Sequence, residues 1–291
     1  MRMSRARALA GLAALPVAAG CAQLTGIRVG SKNFTESIVL GEIYAQALER
    51  AGLPVARRFN LGSTQIALAA LARGDIDLYP EYTGTALIDV LHLPPQPDPN
   101  AIYRTVREAF AREFDLVWLA PAPMNDSQGL ATTHAIAHRY GLRTLSQLAL
   151  LAPKLRLATI PEFVTRPDGV PGLQRAYGGF HFASVRVYDI ALKYDALLRG
   201  DADVATAFTT DGAIAAHHLV LLDDDKHLWP PYNPAPVARR SVLVREQRIA
   251  PALDAASARI TSDAMQRMNQ SVEAGADPAD VAAAFLRGEA R

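Results

Sequence analysis

Apolar positions along the chain fall alternately into short runs and into stripes spaced for a helix. Residues 27–30 are a short apolar run and predict a strand. Between Glu36 and Ala51, the apolar residues Ile38, Val39, Ile43, Ala47 and Leu48 share one helical face, and Gly52-Leu53-Pro54 ends the pattern. Residues 55–60 and 76–79 predict two more strands, separated by a helix over 65–72 that Gly74 stops. This order predicts a parallel sheet covered by helices. Ligands of such sheets meet the loops at the carboxyl ends of strands, here 30–37, 60–64 and 79–85.

A Pro-rich loop (94–99), a helix over 100–114 and a strand over 116–119 complete a first unit. A second unit repeats the logic. It has helices over 132–140 and 144–151, a strand over 155–158, a turn-rich loop at 165–172, a helix over 186–199 and a strand over 204–208. A last strand (237–244) and helices over 252–274 and 277–287 follow a bridge containing Pro230, Pro231, Pro234 and Pro236. The expected fold is α/β and two-lobed, with two parallel-type sheets joined by a hinge. Lobe 1 would be 27–126 plus 228–291 and lobe 2 would be 127–227. A hinged binding protein is the function such an architecture suggests.

Composition narrows the function. The 291 residues are 50% hydrophobic and 20% charged, enough for a real core, which excludes a disordered chain. Net charge is +1 and no Lys/Arg run reaches five, which argues against nucleic acid as a partner. A single Cys cannot form an internal disulfide or a Cys-rich zinc site. His134 and His138 have a spacing that could hold a metal, but no third ligand accompanies them, so a solvated face is expected. No GxSxG, P-loop or GxGxxG motif occurs, so neither an enzyme nor a cofactor is expected. Asp211 is expected to cap the helix after it.

Residues 1–20 carry Arg2, Arg5 and Arg7, then an apolar run and small residues, the pattern of a secretory signal. Cys21 follows Ala18-Ala19-Gly20, which resembles a lipoprotein processing site with Ala18 in place of the usual Leu. The alternative is an ordinary signal cut nearby, with Cys21 incidental. Without residues 1–20 the chain has 27 Lys+Arg against 29 Asp+Glu. A lipid on Cys21 would anchor it to a membrane face without spanning, and the expected location is periplasmic or extracytoplasmic at a membrane.

Five segments carry a family resemblance: GSKNFTES (30–37), GDIDLYPEYTGTAL (74–87), PEFVTRPDGVPGL (161–173), GDADVATAFTTDG (200–212) and LLDDDKHLWPPYNPAPVARR (221–240). They resemble the OpuAC-type binding proteins of ABC importers for glycine betaine, choline and related quaternary amines, over nearly all of 27–291. The resemblance implies the two-lobed, type II periplasmic binding protein fold and a monomeric receptor for a small quaternary-ammonium ligand, with an ABC permease and its ATPase as partners. A trimethylammonium group donates no hydrogen bond and is held by aromatic faces. A ligand carboxylate suits an Arg fork. By resemblance, Tyr82, Phe208 and Tyr232 are cage walls, Thr85 holds the carboxylate, and Arg166 clamps it. Arg166 could instead pair with Asp168 within its turn. Asp126 and Ser37 are further expected contacts, and Lys32, Thr35 and Glu36 share the N-terminal loop. One position departs: an aromatic is usual where this chain has Gln128, which makes the cage three-walled and adds hydrogen-bonding capacity. A different small cation or zwitterion, selected by Gln128, is the alternative ligand.

Overall fold

The computed structural model describes residues 26–190 and 192–289. The signal-like segment and Cys21 lie outside the described residues. Two five-stranded sheets form the molecule. The first contains β1 (Ile27–Gly30), β2 (Val55–Arg58), β3 (Leu78–Tyr82), β4 (Leu116–Trp118) and, from far down the chain, β10 (Pro234–Arg239). The second contains β5 (Gln128–Thr132), β6 (Arg156–Thr159), β7 (Ser184–Val187), β8 (Val204–Phe208) and β9 (Val220–Leu221). Their orders are β2-β1-β3-β10-β4 and β7-β6-β8-β5-β9, so the two lobes share one topology.

The sheets are mixed rather than parallel throughout. β1 runs parallel to β2 and β3, and β6 runs parallel to β7 and β8. The strands arriving from the other lobe run antiparallel: β10 against β3 and β4, and β5 against β8 and β9. A chain that crosses over and inserts beside the third strand enters from the opposite end, which reverses its direction.

The same ion pair clamps both lobes. Arg28, on β1, donates through Nε and Nη2 to Asp77 at 3.0 and 2.7 Å, and its backbone N–H donates to Asp77 at 2.9 Å. Arg156, on β6, makes the same three bonds to Asp203, each at 2.9 Å. Each Asp is the second acid of a Gly-Asp-x-Asp run, at 74–77 and 200–203. Arg28 is the cause that brings Asp77 below the ordinary carboxylate range against its burial; hydrogen bonds from Arg156 are the leading cause for Asp203.

Helix Thr35–Arg50 buries Val39, Leu40, Ile43, Ala47 and Leu48, close to the expected stripe. It packs on the C-terminal helices Ile249–Ser257, Ser262–Glu273 and Pro278–Arg287. Helix Thr64–Arg73 ends at Gly74, whose φ of +81° is the left-handed conformation glycine adopts without penalty. The expected helix over 252–274 is two helices, because Thr261 starts a new one by accepting the Ala264 N–H. The expected helix over 186–199 is β7 followed by helix Lys193–Leu198. The loop at 165–172 contains the start of helix Val170–Tyr177. The last strand begins earlier than 237, and Arg240–Arg245 is helical. Among the described residues no helix is long and apolar enough to cross a membrane.

Candidate functional site

The ends of β3, β8 and β5, with the segment before β10, converge on a cleft between the lobes. Its inner cavity, about 150 Å³, is lined by Tyr82, Thr85, Asp126, Gln128, Arg166, Phe208 and Tyr232, all named from the sequence. Strand register explains much of this. Gln128 and Phe208 are direct partners across β5 and β8. Tyr82 is opposite Pro234, two residues after Tyr232. Ser37 does not reach the cavity: it is fully buried, and its hydroxyl accepts the Lys32 N–H at 2.9 Å. Thr35 and Glu36 line a second cavity of about 550 Å³ that shares Phe34, Asp126 and Phe208 with the first. His134 and His138 are both exposed on their helix.

Phe34 is a wall that the sequence reading missed. It is the extended N-cap of helix Thr35–Arg50, and its ring lies 6.0 Å from that of Tyr82 and 6.3 Å from that of Phe208. With Tyr232 it restores the ring count that Gln128 lowers. The rings already hold cations. Lys32 Nζ is 4.6 Å from the Tyr82 centroid, and Lys193 Nζ is 4.6 Å from that of Phe208. Each ammonium is also paired with an acid, Lys32 with Glu81 at 2.7 Å and Lys193 with Asp211 at 2.9 Å.

Asp168 organises the other side. It accepts Nε and Nη2 of Arg166 at 2.9 and 2.7 Å, Nε2 of Gln128 at 2.6 Å, and the Tyr232 hydroxyl. The turn pairing of Arg166 with Asp168 is therefore present. Burial pushes the Asp168 carboxyl up, but the Arg166 bonds outweigh it and hold it below the ordinary range. Arg166 Nη1 also lies 3.7 Å from Asp89. Its fork is thus largely engaged within the protein. Trp229 donates its indole N–H to the Asp168 carbonyl at 2.7 Å, which ties the bridge to this network.

Asp211 stands at the N-cap of helix Gly212–Ala216, but its side chain makes no capping bond. Its carboxylate accepts Lys193 Nζ, the Tyr194 hydroxyl at 2.6 Å and the Phe208 N–H at 2.9 Å, so it fixes the end of β8 instead. Several contacts cross between the lobes. Thr210 donates toward Glu36, Asn269 Nδ2 donates to the Thr210 carbonyl at 2.9 Å, and Gly212 packs on the backbone of Gln270. The cleft is closed.

Two lobes of one topology, closed over a ring-lined cavity at strand ends, define a solute-binding protein of the periplasmic-binding-protein class. More particularly, the chain belongs to the OpuAC family, the substrate-binding domains of ABC-type glycine betaine transport systems, whose model matches residues 25–288. It is a substrate-binding protein and not an enzyme. It is 36% identical over 282 residues to the glycine-betaine-binding protein of Pseudomonas aeruginosa, covering 93% of this chain and 90% of that one. It is 33% identical over 246 residues to the ergothioneine transport permease/ergothioneine binding protein EgtU of Helicobacter pylori, covering 84% of this chain and 44% of that protein. A solved glycine betaine/carnitine/choline ABC transporter structure superposes with a TM-score of 0.74 at 31% identity, over 90% of this chain and 98% of that one.

Proposed function

We propose that this chain is the extracytoplasmic receptor that delivers a small quaternary-ammonium compound to an ABC permease and its ATPase. The observation that carries this is the convergence of Phe34, Tyr82, Phe208 and Tyr232 on one small cavity. Aromatic faces attract a cation that donates no hydrogen bonds, at roughly 0.5–2 kcal/mol each. A cavity well under the ~300–1,000 Å³ of drug-sized pockets suits a compact headgroup. The moving units of this reading are lobe 1 (27–126 plus 228–291) and lobe 2 (127–227). Only a closed state distinct from the open one can report occupancy to the permease. Residues 1–20 would be the export signal and Cys21 the lipid attachment point.

Titration of the mature chain with glycine betaine, choline, carnitine, proline betaine and ergothioneine tests this, read by Trp229 fluorescence and calorimetry. Micromolar binding of one of them is expected. Absence of binding to all of them at millimolar concentration would overturn the ligand class and leave the family intact. A second reading has one observation in its favour. Because Asp168 already engages Arg166 and Gln128, a cation without a carboxylate fits the cavity with less rearrangement than a zwitterion does. Gln128→Tyr is expected to raise glycine betaine affinity about tenfold by adding a ring. Unchanged affinity would show that Phe34 already supplies the wall.

A further inference from the structure

We infer that Glu36 and Asp126 hold one proton between them in the ligand-free protein, and that a cationic ligand replaces it, with Asp126 as the exchangeable counter-ion. The inference rests on the ligand being a cation.

The geometry is a shortage of donors. Thr210 Oγ1 lies within hydrogen-bonding distance of Glu36 Oε2 and is 2.7 Å from Asp126 Oδ1. A hydroxyl has one proton to donate, so it cannot serve two ionised carboxylates at once. Both acids are buried, at 4% and 6% exposure. Glu36 has other donors: the Tyr82 hydroxyl at 2.7 Å and Asn269 Nδ2 at 3.1 Å. Asp126 is served by Thr210 alone among the described residues, through its hydroxyl and its backbone N–H. The proton therefore belongs on Asp126, which can donate to the Thr210 oxygen while Thr210 donates to Glu36.

The surroundings agree. Tyr82 faces the pair from β3, Asn269 and Glu273 from helix Ser262–Glu273, Tyr194 and Lys193 from helix Lys193–Leu198, and Asp211 from the turn after β8. The nearby ammonium groups, Lys193 and Lys32, are neutralised by Asp211 and Glu81. No free cation among these groups balances a second negative charge. Burial first, and then Glu36, push the Asp126 carboxyl well above the ordinary range. Asp126 also lines the inner cavity. A quaternary ammonium against the rings supplies the missing positive charge within a few ångströms and favours the ionised form.

The sign follows from linkage. The empty pair holds the proton below its raised pKa, and the cation-bound site does not. Binding then releases a proton, so affinity for a cation rises with pH and levels off above that pKa. One exchanged proton corresponds to about tenfold in affinity per pH unit on the rising limb. Glu273, pushed up to about 7 mainly by burial, titrates within the measured pH range and needs its own control.

The test is calorimetry of choline binding from pH 5.5 to 8, in two buffers of different ionisation enthalpy. Its neutral isostere 3,3-dimethylbutan-1-ol serves as the control ligand. Expected are a rising choline affinity, close to one proton released on the rising limb, and no such rise for the isostere. Asp126→Asn should weaken choline and flatten the profile, whereas Glu273→Gln should leave the slope. A flat wild-type profile, or an unchanged slope in Asp126→Asn, would overturn the inference. If neither choline nor glycine betaine binds at any pH, the ligand reading fails separately. The shared proton is then read in the ligand-free chain by carbon-13 NMR of the Asp126 carboxyl. Titration in the usual Asp range would overturn it.

Discussion

Glu81→Gln is expected to lower the unfolding free energy by about 3–5 kcal/mol, the usual cost of leaving one member of a buried ion pair unpaired. Glu81 is fully buried and Lys32 is 5% exposed. One Glu81 oxygen accepts Lys32 Nζ and the Tyr82 N–H, both at 2.7 Å, and the other accepts the Tyr79 hydroxyl at 2.9 Å. Gln keeps the volume but removes the charge and places an N–H₂ where one of these donors already points. The amide oxygen can still accept from the Lys32 ammonium, but no carboxylate charge neutralises it, and its other contacts are the Thr64 hydroxyl at 3.3 Å and the Tyr82 and Phe34 rings. The rings offset only a fraction of the loss. Urea unfolding at neutral pH measures it. A loss below 1 kcal/mol would mean that water reaches Lys32 and that the pair is not dry. The double substitution Lys32→Gln with Glu81→Gln should recover part of the loss, because no charge is then left unpaired.

What the sequence made legible was local, and what it hid was nonlocal. Tyr82, Thr85, Phe208 and Tyr232 sit in motifs that end strands, so placing the strands placed the residues. The two Gly-Asp-x-Asp runs are visible as text, but their Arg partners lie 49 and 47 residues away. β5 escaped because Gln128–Thr132 is buried at every position and built largely of small and polar residues, which leaves no alternation to detect. β7 escaped because its Val185 and Val187 are exposed at a sheet edge, so their pattern reads equally as a helix face. Phe34 was inside a loop marked for attention, but its direction depends on the extended N-cap backbone. Arg166 with Asp168 is a two-residue contact and could be weighed from the sequence. Gln128 with Asp168 spans 40 residues, and Glu36 with Thr210 spans 174. The first joins distant parts of one lobe, and the second exists only once the lobes meet.

Gly212→Ala should weaken ligand binding tenfold or more while leaving the fold intact. A Cβ at Gly212 would lie 2.5 Å from the Gln270 backbone nitrogen, 2.6 Å from its Cα and 2.7 Å from Glu273 Oε2. Backbone cannot yield as a flexible side chain can, and Met265 and Met268 anchor that helix in the first lobe's core. Helix Gly212–Ala216 belongs to the other lobe, so the strain is relieved by parting the lobes. Thr210 and Phe208 lie just upstream and would draw away from Glu36 and Phe34. Within its own lobe an alanine at the first helical position is favourable, so unfolding should change little. Apparent affinity scales with the fraction of molecules able to close, so a tenfold fall in that fraction is a tenfold rise in Kd. Small-angle scattering should show a larger radius of gyration in the ligand-free variant, and excess ligand should reduce it. Unchanged scattering together with unchanged Kd would show that the 262–273 helix shifts to accept the methyl group. Closure would then not depend on this contact. A fall in affinity without expansion would place the effect in the cavity itself, through Phe208, rather than in the hinge.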